Sequence, residues 1–100
     1  MDATHKPIAG AFRQLGASVL DLSGTGGGAP DLLIGLAGRN VLLELKTGSR
    51  AKHHRRDEGH QRAWRDAWRG QVAVAGNLEE ALLAVGAAIG RRLVGEGGPA

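Results

Sequence analysis

The sequence predicts a single α/β domain in which helices pack on a small mixed sheet of about four strands. Three observations predict it. Apolar spacing switches between helical and strand periods in the order helix, three strands, helix, strand, helix. Glycine, proline and asparagine punctuate the boundaries of these segments. The chain's 100 residues are enough for one modest core and too few for a second domain.

Residues 5–15 read as the first helix, because Ile8, Ala11, Phe12 and Leu15 recur at helical spacing, Pro7 suits a first turn and Gly16 is a stop signal. Residues 18–22 are short and apolar apart from Asp21, and the glycine-rich run 24–28 follows, so they read as a strand and then a loop. The apolar runs 31–36 and 41–46 flank Ala37-Gly38-Arg39-Asn40 and predict an antiparallel hairpin closed by a four-residue loop. Residues 47–56 are polar, basic and aperiodic, hence a solvated loop. From Asp57 helical spacing returns, with Ala63, Trp64, Ala67 and Trp68 as an apolar face expected against the sheet and Gly70 as its end. Residues 71–75 give a fourth strand. Asn77 is the expected cap of a last helix, whose apolar stripe runs through Leu78, Leu82, Val85, Ile89 and Leu93. The domain is expected over residues 1–94, with 95–100 a flexible tail.

Composition narrows the function. Thirteen Lys and Arg against ten Asp and Glu give a net charge of +3, which favours polyanionic partners. The absence of cysteine excludes disulfides and thiolate metal sites. No apolar stretch approaches the length of a membrane span, so no membrane partner and a cytoplasmic location, in a bacterium or a phage-infected cell, are expected. Only Lys6, Lys46 and Lys52 are lysines, so a lysine ending an apolar strand invites a specific explanation.

The hairpin register supplies one. Strand alternation puts Glu44 and Lys46 on one face, opposite Leu43 and Leu45. Pairing Leu36 with Val41 carries the ladder down to Asp31 opposite Lys46, so that Asp31 stands beside both Glu44 and Lys46. A slip of one residue would send Asp31 to the other face. Converging carboxylates flanked by a lysine are costly without a partner, and a divalent cation such as Mg²⁺ or Mn²⁺ is the natural one. A cation held there activates water against a phosphodiester. Lys46 then orients or deprotonates that water, or stabilises the developing charge.

Gly28-Ala29-Pro30-Asp31, an apolar strand, Glu44-Leu45-Lys46 and then Gln61 ahead of Trp68 resemble the PD-(D/E)XK nuclease superfamily, in particular its small VRR-NUC and Holliday-junction-resolvase-like members. The resemblance spans about residues 15–85 and implies a restriction-endonuclease-like core. It implies Asp31 and Glu44 as metal ligands, the Leu45 carbonyl as a backbone ligand, Lys46 as the catalytic lysine and Gln61 as a supporting polar residue. It further implies a homodimer that cuts branched DNA, such as a four-way junction, by metal-dependent phosphodiester hydrolysis. Many relatives carry a glutamate in the first helix, whereas residues 1–16 here contain none and Asp2 is their only acid.

Around this centre, Arg50, Lys52, Arg55 and Arg56 directly follow Lys46 and are expected to contact phosphates. Gly26, Gly27 and Gly28 offer side-chain-free backbone for close approach of a DNA strand. The glycine run formally fits a dinucleotide fingerprint, but Pro30-Asp31 and a strand follow it where a helix is required, so no nucleotide cofactor is expected. His53, His54 and His60 are read as loop residues, since adjacent histidines without an anchored third make a poor zinc site. Small residues from Gly86 to Gly90, and Leu93 and Val94 beyond them, lean toward a dimer seam. Rival readings are a DNA-binding module that keeps the fold without turnover, and a subunit of a repair or replication complex.

Overall fold

The computed structural model describes residues 5–46 and 58–94. The elements are α1 (His5–Gln14), β1 (Ser18–Asp21), β2 (Leu32–Leu36), β3 (Arg39–Leu45), α2 (Glu58–Ala67), β4 (Val72–Ala75) and α3 (Leu78–Ile89). This is the order the sequence predicts. Asp2, the basic segment with Arg50, Lys52, Arg55 and Arg56, and the tail 95–100 lie outside the described residues.

The four strands form one mixed sheet in the order β1-β2-β3-β4, antiparallel except for the parallel β3–β4 pair that α2 connects. Alternation divides its two faces. Val19, Leu32, Ile34, Val41, Leu43, Leu45, Ala73 and Ala75 point to one side and form the core with Ile8, Ala9 and Phe12 of α1 and Ala81, Val85 and Ile89 of α3. On the other side stand Leu20, Leu33, Leu42, Glu44 and Val74, with α2 over the centre through Arg65. Leu20 and Val74, on the outer strands, remain exposed there.

The β2–β3 turn differs from expectation. Leu36 pairs with Arg39, so the loop is the two residues Ala37-Gly38, and Arg39 and Asn40 belong to the strand. Both turn residues have positive φ, 56° at Ala37 and 76° at Gly38. That is the pattern of the tight turn whose twist matches the flanking strands, and it outcompetes a four-residue loop. The register therefore moves by two, with Leu32 opposite Leu43. A shift of two preserves which side chains share a face.

The last helix is also shorter than its apolar stripe. Asn77 caps it as expected, its side chain accepting from the Glu80 N–H at 2.8 Å, while Glu80 Oε1 reaches back to the Gly76 N–H at 2.6 Å. Gly90 terminates it in the left-handed region, and Leu93, beyond the helix, packs against the core. Gly86 is buried. The chain itself thus covers part of the surface that the stripe offered to a second copy. Among the described residues no helix is long and apolar enough to cross a membrane.

Ala37 is the only non-glycine residue with positive φ among those described, and a side chain there costs about 1 kcal/mol. Ala37→Asn, the residue this turn type prefers, is expected to stabilise the domain by about that amount and to raise Tm by about 4–8 °C in thermal denaturation.

Candidate functional site

Asp31 follows the buried Pro30 at the mouth of β2 and is stitched to both neighbouring segments. Its N–H donates to the Leu43 carbonyl at 3.1 Å, and its carbonyl accepts from the Leu22 N–H at 2.7 Å. Its carboxylate Oδ2 accepts the Leu45 N–H at 2.7 Å. The regular ladder ends at Leu32–Leu43, so this carboxylate replaces the carbonyl that Leu45 would otherwise meet. Asp31 Oδ1 lies 3.8 Å from Nε2 of His5, a fully buried residue at the start of α1. The expected pairing of Asp31 with Lys46 is thereby corrected: with two residues fewer in the turn the register runs toward Glu44 instead, and the Asp31 carboxylate meets the Leu45 N–H and His5.

Glu44 has no exposed surface, although it sits in an interior strand beside the half-open Val74. Two cations meet its Oε2. Arg65 of α2 donates from Nη1 at 2.8 Å, and Lys46 Nζ stands at 3.7 Å. Lys46 is one residue past β3, and its backbone is held by an N–H donated to the Ala75 carbonyl at 2.8 Å. Glu44 Oε1, also buried, has no hydrogen-bond partner. Gln61, one helical turn before Arg65, is 8% exposed, and its Oε1 likewise lacks a partner. A buried acceptor left without a donor costs about 1–3 kcal/mol, so two in one region mark a place that a cation or ordered water would satisfy.

Gln61 is buried, as its place on one helical face with Trp64 and Trp68 suggests, but the apolar face expected against the sheet is only partly covered. Gln61 and Arg65 are turned to the sheet, while Trp64 and Trp68 stack on each other with ring centroids 4.8 Å apart and Trp68 is 45% exposed. Ala63 and Ala67 are exposed. The physical reason is Glu44: a buried carboxylate without a counter-charge costs several kcal/mol, more than is lost by leaving part of an indole in water.

Of the three glycines expected to admit DNA, Gly26 and Gly27 have open space around them. Gly28 has a reason within the chain. A Cβ there would lie 2.7 Å from the His60 carbonyl, so the glycine loop abuts α2 just before Gln61. The structure thus groups Asp31 with His5, and Glu44 with Lys46 and Arg65, with Gln61 one helical turn before Arg65; Arg65 and His5 are residues that the sequence reading did not single out. Arg65 is four residues after Gln61, so the spacing that flagged one side chain also carried the other. His5 precedes Lys6-Pro7 in the first turn of α1, where only an acid was sought.

Among the described residues no group of three or more His, Cys, Asp or Glu side chains is arranged to hold a metal ion. Truncating Asp31 tests its structural share. Asp31→Ala leaves the buried Leu45 N–H without an acceptor and is expected to cost about 1–3 kcal/mol in urea denaturation, with faster amide exchange at Leu45. Asp31→Asn keeps an acceptor and is expected to lose less. Compared with family models, curated proteins and solved structures, the chain matches none.

Proposed function

We propose that this protein is a divalent-metal-dependent DNA endonuclease of the PD-(D/E)XK kind, with a restriction-endonuclease-like core, acting as a homodimer on branched DNA. The observation that carries the reading is Glu44: fully buried, with Oε1 unpartnered, and with Lys46 Nζ 3.7 Å from its other oxygen. A charge placed in this way serves a site better than it serves a core.

The donor set suits Mg²⁺ or Mn²⁺. Glu44 Oε1, Asp31 Oδ1 and the Leu45 carbonyl are hard oxygen donors, and the N–H and carbonyl of a strand residue project to the same edge, which for Leu45 is the edge of Asp31. Mg²⁺ keeps several waters and needs only one or two carboxylates, in keeping with the small number of acids near the site. When bound, the ion lowers the pKa of its water and neutralises charge on the phosphodiester.

The chain's own residues do the rest. Lys46 Nζ donates a hydrogen bond that orients the attacking water or stabilises charge on a non-bridging phosphate oxygen. Gln61 Oε1 accepts a hydrogen bond from that water and orients its lone pair. Gly26 and Gly27 leave room for the sugar–phosphate chain, and Arg50, Lys52, Arg55 and Arg56 supply phosphate contacts next to Lys46 in the sequence. Exposed Leu20, Val74 and Trp68 offer apolar surface to a second copy, which would set two sites for two strands.

One observation favours a second reading, a DNA-binding module without turnover: Arg65 already neutralises Glu44. Tight junction binding with no Mn²⁺ uptake in calorimetry would establish that alternative. The direct test incubates a four-way junction, a flap and linear duplex with Mg²⁺ or Mn²⁺. Cleavage of the junction is expected to need the metal, to vanish in Glu44→Ala and to fall by roughly 10²–10⁴ in Lys46→Ala. Cutting without metal, or cutting indifferent to both substitutions, overturns the assignment.

A further inference from the structure

We propose that Arg65 is an exchangeable counter-ion, which holds Glu44 when DNA is absent and passes to a substrate phosphate when DNA binds, so that metal uptake and DNA binding are coupled. The inference rests on the metal-dependent reading above and adds a regulatory device to the same site.

Charge balance is the starting point. At Glu44 one negative charge is met by two positive charges, those of Lys46 and Arg65. The three groups together carry a net positive charge, so a divalent ion approaching Glu44 meets no net attraction. It also meets a direct competitor, because the Arg65 guanidinium bonds to the carboxylate the ion would share, at 2.8 Å. Two cations on one buried carboxylate repel each other strongly where the effective dielectric is low.

Arg65 is also built to leave. A guanidinium carries five donors in a planar fork, yet the contact with Glu44 is a single hydrogen bond through Nη1. Its side chain is 18% exposed, whereas that of Glu44 is fully buried, so Arg65 reaches solvent where the carboxylate does not. It stands in the last turn of α2, at the end of a long flexible stem. A phosphodiester drawn in by Lys46 would offer two oxygens matching the fork, a better partner than one carboxylate oxygen. Moving the guanidinium to the phosphate takes the nearer cation off Glu44 Oε2 and removes the net positive charge around that carboxylate. The substrate thus makes room for the ion. By linkage, the ion must tighten DNA binding by the same factor.

The test is Mn²⁺ titration of the full chain, read by electron paramagnetic resonance of the free ion, in wild type, Arg65→Gln, Arg65→Lys and Glu44→Gln. Without DNA, Arg65→Gln is expected to bind Mn²⁺ about tenfold or more tightly than wild type, within the usual range of site-to-site coupling. Glu44→Gln is expected to bind none. Arg65→Lys keeps the charge but not the fork, so its DNA-free affinity should stay within about twofold of wild type. Junction affinity, by stopped-flow anisotropy before any cleavage, should rise about tenfold with Mn²⁺ in wild type and much less in Arg65→Lys. This second arm holds even if Arg65→Gln does not fold. Equal Mn²⁺ affinity in wild type and Arg65→Gln, weaker binding in Arg65→Gln, or an undiminished gain in Arg65→Lys overturns the exchange while leaving the nuclease reading in place. No Mn²⁺ uptake by any variant, with or without junction DNA, overturns both.

Discussion

A carboxylate with no exposed surface in an interior strand must be answered by positive charge, and much of the site end of this molecule can be read as that answer. Arg65 and Lys46 both reach Glu44 Oε2. To deliver Arg65, α2 turns Gln61 and Arg65 inward, and the stacked Trp64 and Trp68 are left partly exposed. To bring α2 close, the preceding glycine loop must pass without a side chain at residue 28. Helix orientation, loop composition and surface character thus follow from one buried charge.

The fold was legible in the sequence to different depths. Element order and the placement of the core followed from periodicity and stop signals, because α1, α3 and the strands bury ordinary aliphatic side chains. The face shared by Glu44 and Lys46 followed from strand alternation alone. The register did not, because the preference of two consecutive positive-φ residues for a tight turn competes with a longer loop, and Ala37 gives no local sign of accepting that backbone. The orientation of α2 was misjudged for a different reason. Hydrophobic periodicity assumes that the apolar face turns inward, and here the strongest demand from the sheet is electrostatic. The end of α3 was obscured because Leu93 continues the stripe in sequence while packing on the core outside the helix.

The candidate site shares its residues with the architecture. Asp31 is at once a ligand in the proposed metal site and the acceptor that closes the sheet at Leu45. On that proposal, changes there would move stability and activity together. Gln61 and the free oxygen of Glu44 behave otherwise, since neither makes a hydrogen bond that the fold requires. A polar pair held at a cost to stability is what a binding or catalytic site maintains.

The stacked tryptophans have a spectroscopic consequence. They are the chain's only two; Trp64 rides on the same short helix as Arg65, beside it, and Trp68 follows directly after that helix ends at Ala67. A displacement of α2 that accompanied release of Glu44 would alter the overlap of the two rings and the hydration of the half-exposed Trp68. The molecule therefore carries an optical gauge of its own, with emission and near-ultraviolet dichroism reporting on the neighbourhood of Arg65 without any attached label.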